Sequence, residues 1–307
     1  MVSANSPPVT PAPSATVMLI RQNHATIQVY LLRRSHESSA FPGFYVFPGG
    51  TLEADDQDAN FWMKHVDLAG NPLRQALGGQ VERRLPFIVA AVRETFEEAG
   101  LLMASSARGW FHAESLSRNE ILFSRQIADH DLRLSVSKLA CWCRWISPES
   151  MPKRFDTFFF AAPADPTQDC RPDNHETVDG IWIDPATALI KNSEGSFPLS
   201  PPTLVTLHQL LGFNKLDDLM AEARGRCWPE PLMPRMCPIE KGALIIEPWD
   251  PDYAARTVVV DVDRLENDML PPHVPFSRLW LHHGHWRPVA RPDAAGENMK
   301  AMRAKQR

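Results

Sequence analysis

The stretch RETFEEAGL, from Arg93 to Leu101, decides how this chain is interpreted, because it combines helical periodicity with a group of carboxylates. Apolar residues recur there every three to four positions, the period of an amphipathic helix with one buried side. Gly100 provides a stop, since glycine readily adopts the left-handed conformation after a last turn. On the predicted helix Glu94, Glu97 and Glu98 stand at positions i, i+3 and i+4, so their side chains project from one face toward a common point. The apolar run begins near Leu85, and the predicted buried positions are Ile88, Val92, Thr95 or Phe96, Ala99 and Leu102.

Three carboxylates on one helix face repel one another and require a positive partner. Glu97 and Glu98 also lie in the last turn, where the helix dipole is negative and disfavours each carboxylate by about 0.3–1 kcal/mol. Oxygen ligands suit hard cations, so we interpret the cluster as a site for Mg²⁺ or Mn²⁺. The alternative is a solvated acidic face on which Arg93 pairs with Glu97, an arrangement that contributes little to stability. The sequence upstream of the helix favours the metal site.

That upstream stretch is FPGGTLEADD, from Phe47 to Asp56. Together with RETFEEAGL it resembles the Nudix box, which reads G, five residues, E, seven residues and then R-E-U-x-E-E-x-G-U, where U is a bulky apolar residue. Gly50 matches the first glycine, and the second half matches at every fixed position, with Thr95 at the first U. Asp56 stands where the box has glutamate. We therefore identify the chain, by resemblance, as a member of the Nudix family.

The two halves of the box are separated by an insertion. Residues 57–92, which are 36 residues, lie where the box has seven, so roughly 29 have been added. A box split at this place resembles the Nudix subgroup related to the peroxisomal acyl-CoA and CoA diphosphatases. Three flanking stretches are similar to that subgroup as well, namely LLRRSHESSAFPGFYVFPGG (Leu31 to Gly50), RFDTFFFAAP (Arg154 to Pro163) and ETVDGIWIDPATAL (Glu176 to Leu189).

The resemblance implies an α/β fold, the Nudix α/β/α sandwich with a mixed β-sheet, an insertion within the box and a C-terminal β-containing extension. We predict a flexible leader over residues 1–14, the Nudix domain over 15–225 with the insertion at about 57–85, the extension over 226–290 and a flexible tail over 291–307. The implied activity is metal-dependent hydrolysis of a small-molecule nucleoside diphosphate derivative, with CoA or acyl-CoA favoured. ADP-ribose, NADH and dinucleotides stay open as substrates, and a non-catalytic nucleotide-sensing module is the competing class.

The resemblance also implies roles for residues of both box halves. Arg93 is expected to orient the carboxylates through Asp56, and Gly50 belongs to a loop whose backbone closely approaches the substrate. Arg93 and the three glutamates are expected to carry the catalysis. The implied metal ligands are the Gly49 carbonyl and the carboxylates of Glu94, Glu97 and Glu98.

Three residues outside the box are candidates for contact with substrate or water. Arg33 and Arg34 close a predicted strand, Thr26 to Arg33, and a paired guanidinium is the usual partner of phosphate; solvation of the strand end is the alternative. Glu176 precedes a second predicted strand. Some Nudix enzymes draw an extra metal ligand or general base from a late loop, and Glu176 is the candidate for that role, with a solvated loop glutamate as the alternative.

Composition excludes several classes of function. The chain has 32 Lys and Arg against 37 Asp and Glu, a net charge of −5 without a basic block, which argues against nucleic acid and anionic membranes as partners. No apolar run reaches the roughly 18 residues that a membrane span requires, and we expect a cytoplasmic protein. The five cysteines include no CxxC pair, which argues against a disulfide framework or a zinc ribbon. Cys141 and Cys143 are expected to face one side of a buried central strand.

Two further segments are interpreted from pattern alone. The inserted residues must emerge beside the proposed metal, because both of their ends belong to the box, so we interpret them as a lid or substrate wall, with passive packing as the alternative. After residue 226, strand patterns at Ala243 to Glu247, at Thr257 to Val262 and in LWLHHGHW predict an appended β region.

Overall fold

The computed structural model describes residues 9–106, 111, 113–118, 121–258 and 260–291. The strands, numbered in chain order, are β1 (Ala12–Asn23), β2 (Thr26–Arg34), β3 (Tyr45–Val46), β4 (Gly49–Thr51), β5 (Ala104–Ser106), β6 (Leu132–Leu134), β7 (Ala140–Ile146), β8 (Phe155–Pro163), β9 (Thr177–Ile183), β10 (Arg235–Ile239), β11 (Gly242–Ile246), β12 (Arg278–His282) and β13 (His285–Val289). The helices are α1 (Ala59–Trp62), α2 (Gly70–Ala76), α3 (Val81–Ala99), α4 (Phe123–Asp129), α5 (Pro185–Ser193), α6 (Pro201–Leu210) and α7 (Leu216–Gly225).

A seven-stranded mixed sheet forms the centre of the fold. Its strand order is β3-β2-β1-β8-β7, with β4 also pairing with β1 and β9 with β2. Strands β1 and β8 are parallel, and the other pairs are antiparallel. The mixed α/β fold predicted from the sequence is confirmed. Strand β7 was expected in the middle of the sheet but lies at its edge, where backbone hydrogen bonds between Arg144, Ile146 and Leu232 cover part of the exposed edge.

Two hydrophobic clusters fill the two faces of this sheet. Alternate residues of β1 and β8 point to opposite faces, as the strand period of two requires. The first cluster contains Val17 and Phe160 together with the buried side of α3. The second contains Met18 and Phe159 together with residues of α5, α6 and α7. Helix α3 therefore lies on one face of the sheet and the later helices on the other.

Helix α3 begins at Val81, four residues before the predicted apolar run, so part of the insertion is helical and continuous with the second half of the box. It ends where expected, because Gly100 adopts a left-handed φ of 73° and its N–H donates to the Phe96 carbonyl. The predicted buried positions of the helix are all buried: Ile88, Val92, Thr95, Phe96, Ala99 and, just beyond the end, Leu102.

The insertion packs into the core of the protein. Trp62, Val66, Leu73 and Leu77 are each at most 4% exposed and belong to the cluster beneath α3. The Trp62 ring also stacks on Phe123 of α4 at a centroid distance of 5.8 Å. Of the two interpretations of this segment, these contacts favour packing over a detachable lid, because a lid cannot open while its side chains fill the main core.

Three details differ from the patterns seen in the sequence. Strand β1 begins at Ala12, inside the segment predicted as a flexible leader, because it pairs with β8 from Phe155 onward; residues 1–8 and the predicted tail beyond 291 lie outside the described residues. Cys141 and Cys143 belong to opposite clusters, because a β-bulge between them shifts the register against β8. Helix α6, in which apolar and polar residues alternate as in surface helices, is largely buried because the C-terminal sheet covers it.

That C-terminal sheet is antiparallel with the order β10-β11-β12-β13, which confirms the predicted β extension. Ile245, Leu279 and Trp286 pack into the second cluster, so the sheet lies against α5 and α6. Residues 257–258 and 260–262, predicted as a strand, contain none, since β11 pairs instead with β10 and β12. Within the described part of the chain, no helix has the length and apolar character needed to cross a membrane.

One buried carboxylate in this region has no hydrogen-bond partner. Both side-chain oxygens of Glu247, directly after β11, are buried and unpaired. Burial raises the pKa of Glu247 to about 8, and the nearby Asp250 adds to the rise. Asp250 itself is satisfied, because it accepts hydrogen bonds from Ser277 and Arg278. Burial without a hydrogen-bond partner therefore favours the protonated, neutral form of Glu247.

Candidate active site

Arg93 and Asp56 join the two halves of the split box. The Arg93 Nε and Nη2 atoms donate to the two oxygens of Asp56 at 3.0 and 2.9 Å, a bidentate pair in which both residues are at most 2% exposed. Nη2 also donates to the Thr51 carbonyl at 3.0 Å, which anchors the arginine to β4. The shorter aspartate thus supports the geometry that the box would build with glutamate, despite the 36 intervening residues.

Glu94 and Glu97 meet at the remaining nitrogen of the same guanidinium. Arg93 Nη1 donates to Glu94 Oε1 at 3.0 Å and to Glu97 Oε2 at 2.8 Å. The predicted pairing of Arg93 with Glu97 is therefore present, but on a buried arginine shared with other carboxylates and not on a solvated face. Arg93 holds the two glutamates together and partly neutralises them.

Glu98 is held by the adjacent glycines Gly49 and Gly50 at the start of β4, here called the glycine loop. The Gly49 N–H donates to Glu98 Oε2 at 2.9 Å, and Glu98 is 5% exposed. Gly50 lies directly against Glu94, since a Cβ at Gly50 would be only 2.4 Å from Glu94 Oε1. The two glycines therefore contact two different carboxylates of α3, and both contacts require the loop backbone to run close to the helix.

The site carries more negative than positive charge. Asp56, Glu94, Glu97 and Glu98 lie around Arg93 and the Gly49 amide. Burial raises the pKa of Glu94 and of Glu97 to about 7, and Arg93 offsets only part of that rise. Burial also raises the pKa of Glu98 well above its usual value, and the neighbouring Glu94 raises it further. Shifts of this kind mark carboxylates whose charge is incompletely compensated, and they cluster at functional sites.

The chemistry of these groups fits a hard divalent cation. The side-chain donors are all oxygens, they are buried or half-buried beside the glycine loop, and a cation would relieve their surplus charge. Within the described ranges, however, no group of three or more His, Cys, Asp or Glu side chains is arranged to hold a metal ion. The reason lies in the contacts above: Glu94 and Glu97 turn to Arg93 while Glu98 turns to Gly49. The common point expected from the helix spacing is thus reached by two of the three glutamates.

Arg34 and Glu176 approach the site from the sheet. Their charges act on Glu98, where Arg34 lowers and Glu176 raises the carboxyl pKa. Arg34 is the register partner of Thr177, the residue after Glu176, and the Glu176 carbonyl accepts from the Ser35 N–H at 2.8 Å. Arg34 Nε is buried without a hydrogen-bond partner, whereas Glu176 is exposed. Two of the three candidates from outside the box thus lie near enough for their charges to act on Glu98.

Arg33 does not accompany Arg34. Its Nε donates to the Gly43 carbonyl at 3.4 Å, and its charge acts on Tyr45, which belongs to the cluster on the opposite face of the sheet from α3. Neighbouring residues of a strand face opposite sides, so the two arginines do not form the paired guanidinium suggested by their adjacency.

Glu53 is a site neighbour that sequence reasoning missed. Its carboxylate lies 3.7 Å from Arg93 Nη1, and its N–H donates to Asp56 Oδ2 at 2.8 Å. Its side chain is 59% exposed, so this ion pair contributes little to stability. The available signal was the acidic run in TLEADD, of which only Asp56 was assigned a role.

Comparison with solved structures supports the fold described above. A NUDIX hydrolase from Alicyclobacillus acidocaldarius superposes with a TM-score of 0.58 at 23% sequence identity, covering 69% of this chain and 96% of that one. The similarity therefore places the mixed sheet, α3 and the glycine loop within the Nudix fold. The portion left over on this chain is consistent with its additional C-terminal sheet.

Sequence comparison identifies the family. The model described as the NUDT19 Nudix domain matches residues 2–210, and the chain belongs to this Nudix family. It is accordingly a hydrolase that acts on pyrophosphate bonds. Relatives named acyl-coenzyme A diphosphatase NUDT19 are 26% identical in Gallus gallus, over 84% of this chain and 83% of theirs, and 26% identical in Homo sapiens, over 91% and 85%. A protein of Caenorhabditis elegans named putative nudix hydrolase 7 is 26% identical over 66% of this chain and 62% of its own.

Proposed function

We propose that this chain hydrolyses the diphosphate of CoA or acyl-CoA with Mg²⁺ or Mn²⁺, releasing adenosine 3′,5′-bisphosphate and 4′-phosphopantetheine or its acyl derivative. The observation that carries the hydrolytic part is the surplus of carboxylates at the half-buried Glu94 and Glu97 and the buried Glu98, whose pKa values the loss of hydration raises. The substrate is supported by relatives that carry the name acyl-coenzyme A diphosphatase and align over more than four fifths of the chain.

Glu94, Glu97 and Glu98 would hold the metal, with the Gly49 carbonyl as a further ligand, and Nudix hydrolases generally use such divalent cations. When bound, the metal supplies neutralisation of the diphosphate charge and activation of a water for attack at phosphorus. Arg93 donates to both Glu94 and Glu97 and so neutralises part of their charge.

The other residues of the site would position the glutamates, bind the substrate or accept a proton. Arg93 is a positioning residue. Asp56 fixes its guanidinium, and its Nη1 atom donates to both Glu94 and Glu97. Arg34, whose charge acts on Glu98 and whose Nε has no hydrogen-bond partner, is suited to bind the diphosphate oxygens of the substrate. Glu176 is exposed next to it and is the candidate outside α3 to accept the proton of the attacking water.

The substrate assignment is tested by comparing kcat/KM for CoA, an acyl-CoA, ADP-ribose, NADH and a diadenosine polyphosphate at one Mg²⁺ concentration, with products identified by mass. CoA or acyl-CoA is expected to give the highest value, and adenosine 3′,5′-bisphosphate is the expected product. A clear preference for another compound would replace the substrate assignment. Saturable nucleotide binding without turnover of any compound would favour the sensing module.

The metal assignment is tested with Glu98→Gln, which keeps an oxygen to accept from the Gly49 N–H but removes the charge. We expect kcat to fall by about 100-fold or more, the range found when one charged catalytic interaction is removed. Mg²⁺ should raise the melting temperature of the wild type and not that of the variant, since ligand binding stabilises only a protein that binds it. Glu82→Gln, at an exposed position in the first turn of α3, is the matched control and should behave as wild type. Full activity in excess chelator would overturn the assignment.

A further inference from the structure

A cavity of about 290 Å³ lies between the helices α5 and α6 and the C-terminal sheet. Its walls include Leu189 and Leu204 of the helices, Leu270 of the segment before β12, and Pro288 of β13. Leu189 and Leu204 belong to the cluster on the face of the sheet opposite α3, so the cavity shares no residue with the candidate active site. Its volume is at the lower end of the range of ligand pockets, and its lining is mostly apolar, as such pockets are.

Arg287 is the one charged side chain among the described residues that line this cavity. Its Nε is buried without a hydrogen-bond partner, and within the described part of the chain it forms no ion pair. Burial lowers the pKa of the guanidinium, and no carboxylate offsets the effect. A partly buried cation is normally paired or hydrogen-bonded, because removing it from water is costly otherwise.

His285 is a second side chain beside the cavity with a buried polar atom that has no hydrogen-bond partner. It lies two residues before Arg287 on β13 and therefore on the same face of the strand. Its Nδ1 contacts the His283 carbonyl at 3.0 Å, whereas its Nε2 is buried without a partner. Both side chains reach the turn after α5, since a Cβ at Gly195 would be 3.6 Å from Arg287 Nη2 and 4.0 Å from His285 Cε1. Two incompletely satisfied polar side chains thus converge beside the apolar cavity.

Asn192, a polar residue in the cavity wall, already has hydrogen-bond partners for its side-chain amide. Asn192 donates to the Trp286 carbonyl at 2.9 Å and accepts from the Leu199 N–H at 3.1 Å, so its amide is fixed and holds α5 against β13. A competing explanation gives Arg287 a purely structural role, in which it neutralises the negative end of α5. That role explains the charge, but it explains neither the apolar cavity beside it nor the buried unpaired Nε.

We propose that this cavity binds a small organic carboxylate with an apolar chain, the carboxylate on Arg287 and the chain against Leu189, Leu204 and Leu270. The planar guanidinium fork of Arg287, which lines the cavity, matches a carboxylate in two parallel hydrogen bonds. The apolar walls exclude a fully hydrated inorganic anion as the preferred occupant, because such an ion would lose its water without gaining contacts. The site is independent of the proposed hydrolysis, since it lies on the other face of the sheet.

The proposal is tested by calorimetric titration of the full chain with octanoate, using acetate and octanamide as probes that lack the chain or the charge. We expect saturable octanoate binding, and at least tenfold weaker binding of each of the other two. The proposal is overturned if octanoate does not saturate, if octanamide binds equally well, or if acetate binds equally well, since the last result would leave an anion site without an apolar chain.

Variants then locate the binding. Arg287→Gln removes the cation, and Ser193→Leu fills the cavity from a half-buried lining position; each should weaken octanoate binding at least tenfold while leaving hydrolysis at the wild-type rate. Arg83→Gln, an exposed arginine on α3, is the matched control and should bind octanoate as the wild type does. Should Arg287→Gln fold poorly, Ser193→Leu alone decides. Unchanged binding in a folded variant of either kind would place the ligand elsewhere and refute the proposal.

Discussion

The adjacent glycines Gly49 and Gly50 at the start of β4 should have different effects when each is replaced by alanine. A Cβ at Gly50 would meet the Glu94 carboxylate, with atoms at 2.4, 2.5 and 2.6 Å. A Cβ at Gly49 would meet backbone, at 2.4 Å from the Ala15 carbonyl oxygen and 2.6 Å from Thr16 Cα. The end of a glutamate side chain can move at little cost, but a strand in the middle of the sheet cannot. Gly50→Ala should therefore reduce activity, and Gly49→Ala should reduce stability.

The magnitudes follow from these distances. An ordinary contact is about 3.4 Å or longer, so in Gly50→Ala the Glu94 carboxylate must move by about 1 Å, and a misplacement of that size can reduce the rate about 100-fold. In Gly49→Ala the overlap with β1 costs about 1–3 kcal/mol. The φ of 156° at Gly49, which other residues rarely adopt, adds about 1–3 kcal/mol. The summed loss of about 2–6 kcal/mol should lower the melting temperature by at least about 4 °C.

The assay is kcat/KM for CoA at saturating Mg²⁺ together with thermal unfolding of the same preparations. Gly225→Ala is the control, because no atom lies within 4 Å of the Cβ that the substitution adds, and it should change neither quantity much. Wild-type activity in Gly50→Ala would refute the argument that Glu94 must stay against the loop. A greater loss of stability in Gly50→Ala than in Gly49→Ala would refute the distinction between the two glycines.

Three further predictions concern other parts of the molecule. Glu247→Gln removes a carboxyl group that stays protonated in the folded state up to about pH 8 but ionises above about pH 4.5 in the unfolded chain. Because the unfolded state then binds fewer protons, the free energy of unfolding of the wild type should fall by roughly 3 kcal/mol relative to that of the variant between pH 4.5 and 7. Urea unfolding at several pH values measures this difference, and an equal dependence on pH in the two proteins would contradict it. Trp62→Ala should cost about 3–5 kcal/mol if the insertion is core, whereas a loss below about 1 kcal/mol in denaturant unfolding would restore the lid interpretation. Arg34→Gln should lower kcat/KM for CoA by about tenfold or more through loss of a charge-assisted hydrogen bond, while Arg33→Gln, the matched control, should change it little.

The features that the sequence predicted well are set by interactions between residues a few positions apart. The buried positions of α3 and its stop at Gly100 follow from the helix period and from glycine chemistry, both of which act within a few residues. The contact between Arg93 and Asp56 could also be anticipated, but only through the resemblance to the Nudix box, because 36 residues separate the partners and no period connects them.

What the sequence could not predict depends on partners that are distant along the chain. Arg33 and Arg34 cannot be distinguished from the sequence, because only the position of β2 in the sheet decides which of them faces α3. Cys141 and Cys143 fit a regular strand until the bulge against β8 separates them. Helix spacing predicted that Glu94, Glu97 and Glu98 converge, but Glu98 turns away to Gly49 because rotamers and the neighbouring glycine loop set the contacts.

The buried pair of Arg93 and Asp56 closes a chain loop, and the size of that loop has a thermodynamic consequence. Closure entropy grows only with the logarithm of loop length, so lengthening the segment from seven residues to 36 adds about 1.5 kcal/mol to the cost of closure. Burial of one large apolar side chain contributes about 1.5–3 kcal/mol, and this insertion buries Trp62, Leu73 and Leu77. The added cost of closing the longer loop is therefore no larger than the contribution of one of these buried side chains.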